Sequence, residues 1–519
     1  MKIVFLSFVL FTMYGCTKLG PDFHKEQSVK FPKAFQKQDA NVTQEELASW
    51  WSMFHDATLD VLIHKAYANN YDIKQAALRI LQSRTLLGVS EGFQYPQVQT
   101  LSGSATSTYK NSATINNLGL NFDVGWEIDF WGKYARNIES AEANLYLSVA
   151  SYRDIMTTVV AEVARNYISY RVAQERIVYA KRNIAIQQRV TKMTEVQFNA
   201  GNVSELDMQQ ARTQLYTTRA KLPSLELSKI KARNALALLL GISFEEIENI
   251  VDVKSLKIPL QDFKAKTTIA QVDENVQNYL KFSVVPQAQL KASDKIAIHL
   301  LQRRADVEVA EYKARSASAK IGSTTAQLYP SFQLIGNVGL NSSDIFGGFA
   351  SPKEAFSVTA GPGFSWNIFQ YGRIKNQIRF EDARFEEAML GYNKTLLRAI
   401  NELSNAINGY NYTKEQLSEN KKALQATLRA FNLSSRQYND GLVSYQRLLS
   451  TVEKLTLTQD AYAQIKGLLA TEAVLIYKAL GGGWQAQKNK NYLSDDMIDK
   501  LQSSGVDWGD YFKKAQKSE

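Results

Sequence analysis

Two stretches of the chain alternate strictly between apolar and polar residues. They run over Asn117–Asp129 and over Phe356–Ile368. A period of two places all the apolar side chains of a strand on one face. A weaker alternation, in which Thr, Ser, Gly and Asn fill one face, precedes each stretch over Gln97–Lys110 and Ser331–Asn341. The sequence therefore predicts two β-hairpins.

The two predicted hairpins, at about residues 95–130 and 329–370, have the length and composition of membrane β-barrel strands. Each strand is roughly ten residues long, apolar on one face and polar on the other, with aromatic rings towards its ends. We expect four rings to face lipid: Phe122, Trp126, Phe364 and Trp366. A soluble antiparallel sheet packed on helices has the same alternation, so this alternative stays open.

After each predicted hairpin the hydrophobic period becomes helical. Between Lys133 and Leu240 the helix breakers are Gly201 and Pro223 alone. Apolar residues recur every seven positions in both halves of the chain, at Val149, Met156, Val163, Tyr170, Ile177 and Ile184 and at Met389, Leu396, Leu403, Tyr410, Leu417 and Leu424. Such heptads predict helices packed lengthwise as coiled coils over 133–240 and 373–480. The 67 residues from Lys133 to Asn199 span about 100 Å as a helix.

The chain contains two copies of this hairpin-and-helix unit. Three pairs of segments match at an offset of 240 residues: Trp126–Lys133 with Trp366–Arg373, Phe198–Ser204 with Tyr438–Ser444, and Leu240-Gly241 with Leu480-Gly481. Upstream, Tyr95-Pro96 matches Tyr329-Pro330 at an offset of 234. Agreement at separated places predicts a duplication. The predicted divisions are repeat 1 at 59–241, an equatorial linker at 242–292, repeat 2 at 293–481 and a tail at 482–519.

Composition and charge exclude several classes of function. The 519 residues carry 61 Lys and Arg against 51 Asp and Glu, a net charge of +10 that is too diffuse to indicate nucleic acid. With one cysteine, and four histidines that never stand four apart, the sequence predicts neither a metal site nor a disulfide framework. The Walker, nucleophile-elbow and zinc-protease motifs are absent. We therefore expect no enzyme and no cofactor.

The N-terminus has the layout of a secretory signal peptide. Residues 1–15 consist of Met1, one positive charge at Lys2 and an apolar stretch that is too short to span a membrane. Cys16 follows directly, at the position where a bacterial lipoprotein is cleaved and lipidated. It resembles a lipobox cysteine, although Met13 and Tyr14 replace the usual leucine and small residue. We predict a lipidated segment over 16–58; an incidental cysteine after an uncleaved apolar end is the alternative.

The predicted strands constrain the assembly. Four strands from one chain cannot close a barrel, and open strand edges are not tolerated in lipid. If the hairpins lie in a membrane, several copies must contribute strands to one barrel, giving eight strands from two chains or twelve from three. The helical hairpins can then extend away from the membrane as a second wall around a polar lumen.

These features together resemble the outer-membrane efflux proteins, and more narrowly the NodT/OprM-like lipoprotein branch of TolC-type outer membrane factors. The resemblance rests on Trp50–Leu59, Leu62-Ile63 and Asn69–Asp72, the Tyr-Pro turns and the Phe/Tyr-x-x-Gly-x-x-Ser helix tips. It implies a mainly α-helical fold with a membrane β-barrel portion, assembled as a trimer with twelve strands. The implied location is the bacterial outer membrane, with a lipid anchor and a helical tunnel that extends into the periplasm.

The resemblance also implies a function and partners. The chain would be the exit duct of a tripartite efflux pump that conducts small molecules. It would dock on a periplasmic adaptor, or membrane fusion protein, and on an inner-membrane transporter of resistance–nodulation–division type. The same sequence admits two alternative functions. One is a trimeric duct for protein secretion, and the other is a lipid-anchored coiled-coil scaffold or adhesin.

The helix tips are the expected gate and adaptor-docking surface. The two tip turns share their residue types at three equivalent positions, Gly201, Val203 and Ser204 in the first and Gly441, Val443 and Ser444 in the second. By resemblance, Tyr438 is the gating tyrosine and Asp207 is its acidic partner. A phenol donating to a carboxylate contributes about 1.5–3 kcal/mol. The alternative is that Asp207 caps a helix and Tyr438 fills a helix seam.

The tip of the second repeat departs from the family pattern. Arg447 and Ser450 stand where some members carry two aspartates that form an acidic constriction ring. We expect no strongly cation-selective constriction, because three Arg447 side chains near one axis favour anions or repel one another. Asp440 or Glu453 would have to neutralise them.

Overall fold

The computed structural model describes residues 17–25, 29, 43–251, 276–277, 279–288, 290, 301–343, 348–349, 352–487, 491–509 and 511–512. The predicted signal peptide, Cys16 and most of the predicted linker lie outside these residues.

Helices dominate the described chain, and the strands fall in two hairpins. The helices are α1 (Gln44–Ala48), α2 (Ala57–Asn69), α3 (Tyr71–Gly92), α4 (Lys133–Asn199), α5 (Glu205–Leu240), α6 (Phe244–Val251), α7 (Ala305–Thr325), α8 (Pro352–Ala355), α9 (Arg373–Asn439), α10 (Tyr445–Ala479) and α11 (Asp495–Gln502). The strands are β1 (Val98–Lys110), β2 (Ala113–Ile128), β3 (Ser331–Ser342) and β4 (Phe356–Ser365). Short 3₁₀ helices cover Trp50–Phe54, Ala326–Leu328 and Trp484–Gln487.

The duplication in the sequence is a duplication in the structure. Helices α4 and α9 each contain 67 residues and begin 240 residues apart. Helices α3 and α7 begin 234 residues apart, as the offset of the two Tyr-Pro pairs predicts. The strands β2 and β4 form where the strict alternation predicted them. The fold is mainly α, built from a repeated unit of β-hairpin and long helical hairpin.

The four strands form one antiparallel sheet in the order β1-β2-β3-β4. Strands β1 and β2 are joined by Asn111 and Ser112, whose φ angles of 53° and 65° give the twist of a two-residue type I′ hairpin. The central pair, β2 with β3, joins the two repeats. Strands β1 and β4 are therefore the edges of the sheet, each with one side unpaired in the described chain.

Helix α4 is the centre of the helical part. Near the sheet α4 packs between α3 and α7, and α7 packs on α9. Further from the sheet α4 packs between α5 and α10, and α10 packs on α9. The heptad residues supply these contacts, since Met156, Val163, Tyr170, Leu396 and Leu403 are all buried. The described helices do not combine the length and apolar character that a membrane span requires.

Arg136, which is buried, holds the N-terminal segment against the corner between sheet and helices. It donates to the carbonyl oxygens of Leu19 (2.9 Å) and Gly20 (3.0 Å) and to the carboxylate of Asp22 (2.9 Å). Gly322 of α7 makes room for this segment, because a Cβ there would lie 2.5 Å from the Leu19 carbonyl oxygen. The segment that follows Cys16 is thus held at the end of the sheet where β2 leads into α4.

The C-terminal tail returns along the outside of α3 and α4. Tyr492 packs edge-to-face on Tyr152, with ring centroids 5.3 Å apart, and Leu493 and Phe512 are buried. The Tyr511 hydroxyl lies over Gly88 of α3, the repeat equivalent of Gly322, where a Cβ would be 2.5 Å away. Each terminal segment therefore covers the same position in one of the two repeats.

A buried ion pair joins α4 to α10. Glu175 is 0% exposed and Lys466 3%, and the Lys466 ammonium donates to the Glu175 carboxylate. Glu175 also accepts from the Tyr179 hydroxyl (2.9 Å) and from the backbone N–H of Val284 (3.0 Å). Because desolvation outweighs the attraction of Glu175, burial lowers the pKa of Lys466 below its usual range. The pair ties the described part of the linker to both long helices.

We expect Glu175→Ala to destabilise the protein by about 3–5 kcal/mol, because it leaves the Lys466 charge buried without a partner. The measurement is denaturant unfolding of the detergent-solubilised protein, followed by circular dichroism. Lys422→Ala is the control: its bridge to Glu419 lies on the surface, so the change should cost at most about 1 kcal/mol. Equal losses in the two variants would contradict the role of the buried pair.

Candidate functional site: sheet faces and helix tips

The strand register separates the sheet into an apolar and a polar face. Directly opposed residues share a face, and Phe122 lies opposite Leu101 and Val338, while Phe364 lies opposite Phe332. The apolar residues of this face are Leu101, Ala105, Leu118, Leu120, Phe122, Val124, Trp126, Ile128, Phe332, Leu334, Val338, Leu340, Phe356, Val358, Ala360 and Phe364. The same register places a few polar residues among them, at Gln99, Ser107, Thr114, Asn116 and Ser342. The apolar residues extend across all four strands.

The opposite face carries hydroxyl and amide side chains. Its residues include Thr100, Ser102, Ser104, Thr106, Asn117, Asn121, Asp123, Asn337, Asn341, Ser357 and Thr359. Asn337 donates to the Asp123 carboxylate (2.7 Å), and Asn341 donates to the Ser357 hydroxyl (3.3 Å). Such a surface suits contact with water.

Two tryptophans occupy equivalent positions at the helix-proximal edge of the apolar face. The indole N–H of Trp126 donates to the Gln94 carbonyl (3.1 Å), and that of Trp366 donates to the Leu328 carbonyl (2.9 Å). Gln94 and Leu328 are themselves 234 residues apart. With its polar atom satisfied by backbone, each ring is suited to the boundary between an apolar and a polar medium.

At the other end of the molecule, both long helix hairpins turn through the same motif. Gly201 and Gly441 adopt left-handed φ angles of 76° and 71°. The N–H of Asn202 bonds to the Gln197 carbonyl (2.9 Å), and that of Leu442 bonds to the Gln437 carbonyl (2.8 Å). This is the Schellman arrangement, in which glycine after the helix end avoids the clash that a Cβ creates.

The two tips differ at the start of the return helix. Ser204 and Asp207 form a reciprocal capping box: Ser204 Oγ accepts from the Asp207 N–H (3.2 Å), and Asp207 Oδ2 accepts from the Ser204 N–H (3.1 Å). Ser444 makes no side-chain cap bond. The Arg447 N–H donates to the Ser444 carbonyl oxygen instead (3.2 Å). The reciprocal bond is also impossible, because Arg447 occupies the position equivalent to Asp207 and its side chain cannot accept from the Ser444 N–H.

Tyr438 and Asp207, two residues of the predicted gate, are near enough to interact electrostatically, but the Asp207 carboxylate is bonded elsewhere. Burial raises the pKa of Tyr438, the neighbouring Thr194 hydroxyl lowers it by a smaller amount, and the Asp207 carboxylate raises it. The Tyr438 hydroxyl has no well-oriented hydrogen-bond partner among the described residues. The Asp207 carboxylate accepts from Ser204 instead, including its hydroxyl (2.7 Å). The structure thus forms the helix cap, and the gate remains a prediction.

Tyr445 is a tip residue that the sequence interpretation missed. Its ring packs edge-to-face on that of Tyr438, with centroids 6.2 Å apart, and Ala211 and Leu449 are buried in the same cluster. Burial raises its pKa, as do the nearby Tyr438 and Asp207. The available signal was that repeat 1 has a charged residue, Glu205, at the equivalent position.

The remaining predicted site residues lie on the tip surface. Arg447, Ser450 and Asp440 are exposed, whereas Val203 and Val443 are half-buried. Two leucines beside the turns, Leu206 and Leu442, are also largely exposed; the sequence interpretation did not single them out. In the described chain no three of His, Cys, Asp and Glu are placed to hold a metal ion.

Comparison with known proteins gives one consistent family. The family model described as outer membrane efflux protein matches residues 62–242 and 298–482, one match for each repeat. The probable outer membrane lipoprotein SilC of Salmonella typhimurium is 24% identical over 493 residues, which are 93% of this chain and 99% of that protein. The toluene efflux pump outer membrane protein TtgC of Pseudomonas putida is 25% identical, over 94% of this chain and 96% of that protein.

A solved structure has the same fold. The outer-membrane channel OprN superposes with a TM-score of 0.76 at 26% sequence identity, and the match covers 90% of this chain and 100% of that one.

The unequal tips generate a prediction about local stability. Ser204→Ala removes a capping box and should destabilise the start of α5 by about 0.5–2 kcal/mol, whereas Ser444→Ala removes no cap bond and should change little. Amide hydrogen exchange over 205–208 and 445–448 measures each effect separately. If the two substitutions accelerated amide exchange equally at their own tips, the two helix starts would not differ in capping in solution.

Proposed function

The chain belongs to the outer membrane efflux protein family, and from this premise we propose that it is the outer-membrane exit duct of a tripartite efflux pump. It conducts small molecules passively from the periplasm to the exterior. The observation that carries the proposal is the sheet, which has one predominantly apolar face and one face rich in hydroxyl and amide groups. Both long helical hairpins follow the same end of its strands.

A homotrimer completes the duct in this proposal. The edges β1 and β4 each leave a row of backbone N–H and C=O groups that lipid cannot satisfy. Pairing β4 of one copy with β1 of the next removes the edges, and three copies supply twelve strands. The apolar face then contacts lipid through Phe122, Trp126, Phe364 and Trp366, and the polar face lines a water-filled lumen.

In this proposal the outer membrane contacts the sheet end of the protein, and the adaptor contacts the helix tips at the other end. Cys16 carries lipid, and the Arg136 contacts to residues 19–22 hold the segment behind it next to the outer-membrane sheet. The tips dock on a periplasmic adaptor that connects to an inner-membrane transporter of resistance–nodulation–division type. The exposed Leu206 and Leu442, with Val203 and Val443 behind them, give that docking surface apolar contacts.

Gating at the tips is the finer part of the proposal. The Tyr438 hydroxyl is buried beside the Thr194 hydroxyl and lies within the electrostatic reach of the Asp207 carboxylate. A small movement of either helix lets the phenol donate to that carboxylate. The bond closes the tip, and adaptor docking breaks it. Exposed Arg447 side chains from three copies then disfavour strong cation selectivity.

Purification and bilayer recording test the duct. We expect a detergent-requiring trimer that conducts ions in planar bilayers and restores efflux to a strain that lacks its own outer-membrane channel. A water-soluble, non-conducting form would instead support the coiled-coil scaffold or adhesin. Restored secretion of a protein substrate, without restored efflux of small molecules, would support the secretion duct.

Three substitutions distinguish the proposed gating role of Asp207 from its role in the helix cap. Asp207→Ala and Tyr438→Phe should both raise resting conductance, because each removes one partner of the closing bond. Ser204→Ala removes the cap but leaves Asp207 and Tyr438 in place, so it should leave conductance unchanged. If Ser204→Ala opens the channel as much as Asp207→Ala does, Asp207 acts through its helix cap and the gate assignment is wrong.

A further inference from the structure

An open groove lies between α3 and α4, at the end of these helices that is near the sheet. Its volume is about 400 Å³, which is enough to hold a small organic molecule. Helices α3 and α4 supply most of its wall, including Leu86, Val89, Phe93 and Tyr134, and α7 supplies Lys320. We call this cavity the α3/α4 groove.

Much of the wall of the α3/α4 groove is apolar, although the groove is open to solvent. Leu86 is 63% exposed, Val89 57% and Phe93 48%. The Phe93 ring stacks on the Tyr134 ring, with centroids 6.0 Å apart and planes 5° from parallel. The Tyr134 hydroxyl donates to the Glu127 carboxylate (2.9 Å), which holds this ring in place. The groove thus presents an ordered surface on which an apolar body can pack.

One positive charge lies beside this apolar wall. The Lys320 ammonium donates to Asn137 Oδ1 (3.0 Å), and among the described residues no carboxylate pairs with it. An ammonium has three donors, so two remain for an anion. The Glu127 carboxylate is already paired with Lys133 (2.9 Å). The charge of the groove therefore complements an anionic ligand.

The α3/α4 groove opens on the side of the helices that the two termini leave free. Gly88 and Gly322 lie under the terminal segments. Leu86 and Ser90 stand two residues on either side of Gly88, and Lys320 stands two residues before Gly322. At about 100° per residue, two positions separate side chains by about 160° around a helix. In the proposed ring the termini lie outside, because the lipid predicted on the N-terminal segment has to reach the membrane, and the groove faces the lumen.

The second repeat does not reproduce the apolar wall. At the offset of 234 the equivalent of Leu86 is Lys320 itself. The equivalent of Phe93 at the same offset is Gln327. The apolar wall is therefore particular to the first repeat and is not a by-product of the duplicated fold.

We infer that the α3/α4 groove binds organic anions with an aromatic body, and that such compounds are a substrate class of the proposed duct, on which this role rests. The anionic group pairs with the Lys320 ammonium, and the aromatic body packs on Phe93 and Leu86. Because the groove is open to water, the ligand is held weakly, as a molecule that has to leave a channel must be.

Photoaffinity labelling of the full-length protein in lipid nanodiscs tests the groove. The probe is para-benzoylbenzoate, an aromatic carboxylate whose ketone attaches to nearby C–H bonds on irradiation. We expect saturable labelling of peptides that cover 83–93 and 134–144, and unlabelled naphthoate should compete with it. The cation of similar shape, para-benzoylbenzylammonium, should bind the same peptides about tenfold more weakly.

Two lysines of α7 give a matched pair of variants. Lys313 is exposed and stands seven residues before Lys320, close to two turns, so it lies on the same side of the helix without lining the groove. Lys320→Met should weaken the binding of para-benzoylbenzoate about tenfold, whereas Lys313→Met should leave it unchanged. Leu86→Glu, at an exposed position, places a carboxylate in the groove and should weaken it as well.

Bilayer recordings on the same preparations separate this inference from the proposed function. A conducting trimer whose 83–93 and 134–144 peptides stay unlabelled would overturn the groove and leave the duct standing. So would equal loss of labelling in the two lysine variants. Saturable labelling that depends on Lys320, in a protein that does not conduct, would support the binding site and overturn the duct.

Discussion

Lipid cannot satisfy a backbone N–H or C=O, and much of this architecture depends on that constraint. A four-stranded sheet with one apolar face has two edges, β1 and β4, and neither is covered within the described chain. In water such edges invite aggregation, and in a membrane they must be paired. The proposed trimer pairs these edges, with β4 of one copy beside β1 of the next.

The two long helices connect the sheet to the tips as continuous, closely packed elements. Each of α4 and α9 runs 67 residues without a break from the sheet corner to a tip glycine. Apolar heptads hold them in register, and the buried Glu175–Lys466 pair fixes α4 against α10. Removing one partner of such a pair leaves the other charge buried alone. The tips, in contrast, are held by short-range bonds at a surface.

The two repeats have diverged where function differs and kept their residues where backbone geometry allows no choice. Gly201 and Gly441 are retained because each tip needs a left-handed residue. Asp207 and Arg447 differ, and with them the capping box and the charge of the tip. Likewise the Trp131 ring packs on Tyr329 within the chain, while its counterpart Tyr371 is fully exposed. Divergence in a duplicated chain therefore marks the places where internal and external surroundings differ.

The sequence by itself determined the strands, the long helices, the duplication and the apolar face, since each depends on a period that the backbone imposes on neighbouring residues. Resemblance supplied Tyr438 and Asp207 as a gating pair, and that pair remains a prediction. Only the tertiary structure decided that the Asp207 carboxylate accepts from Ser204, that Tyr445 packs on Tyr438 and that Arg136 holds residues 19–22. Those contacts join residues far apart in sequence or choose between equally good local partners, and no periodicity encodes which partner is nearer.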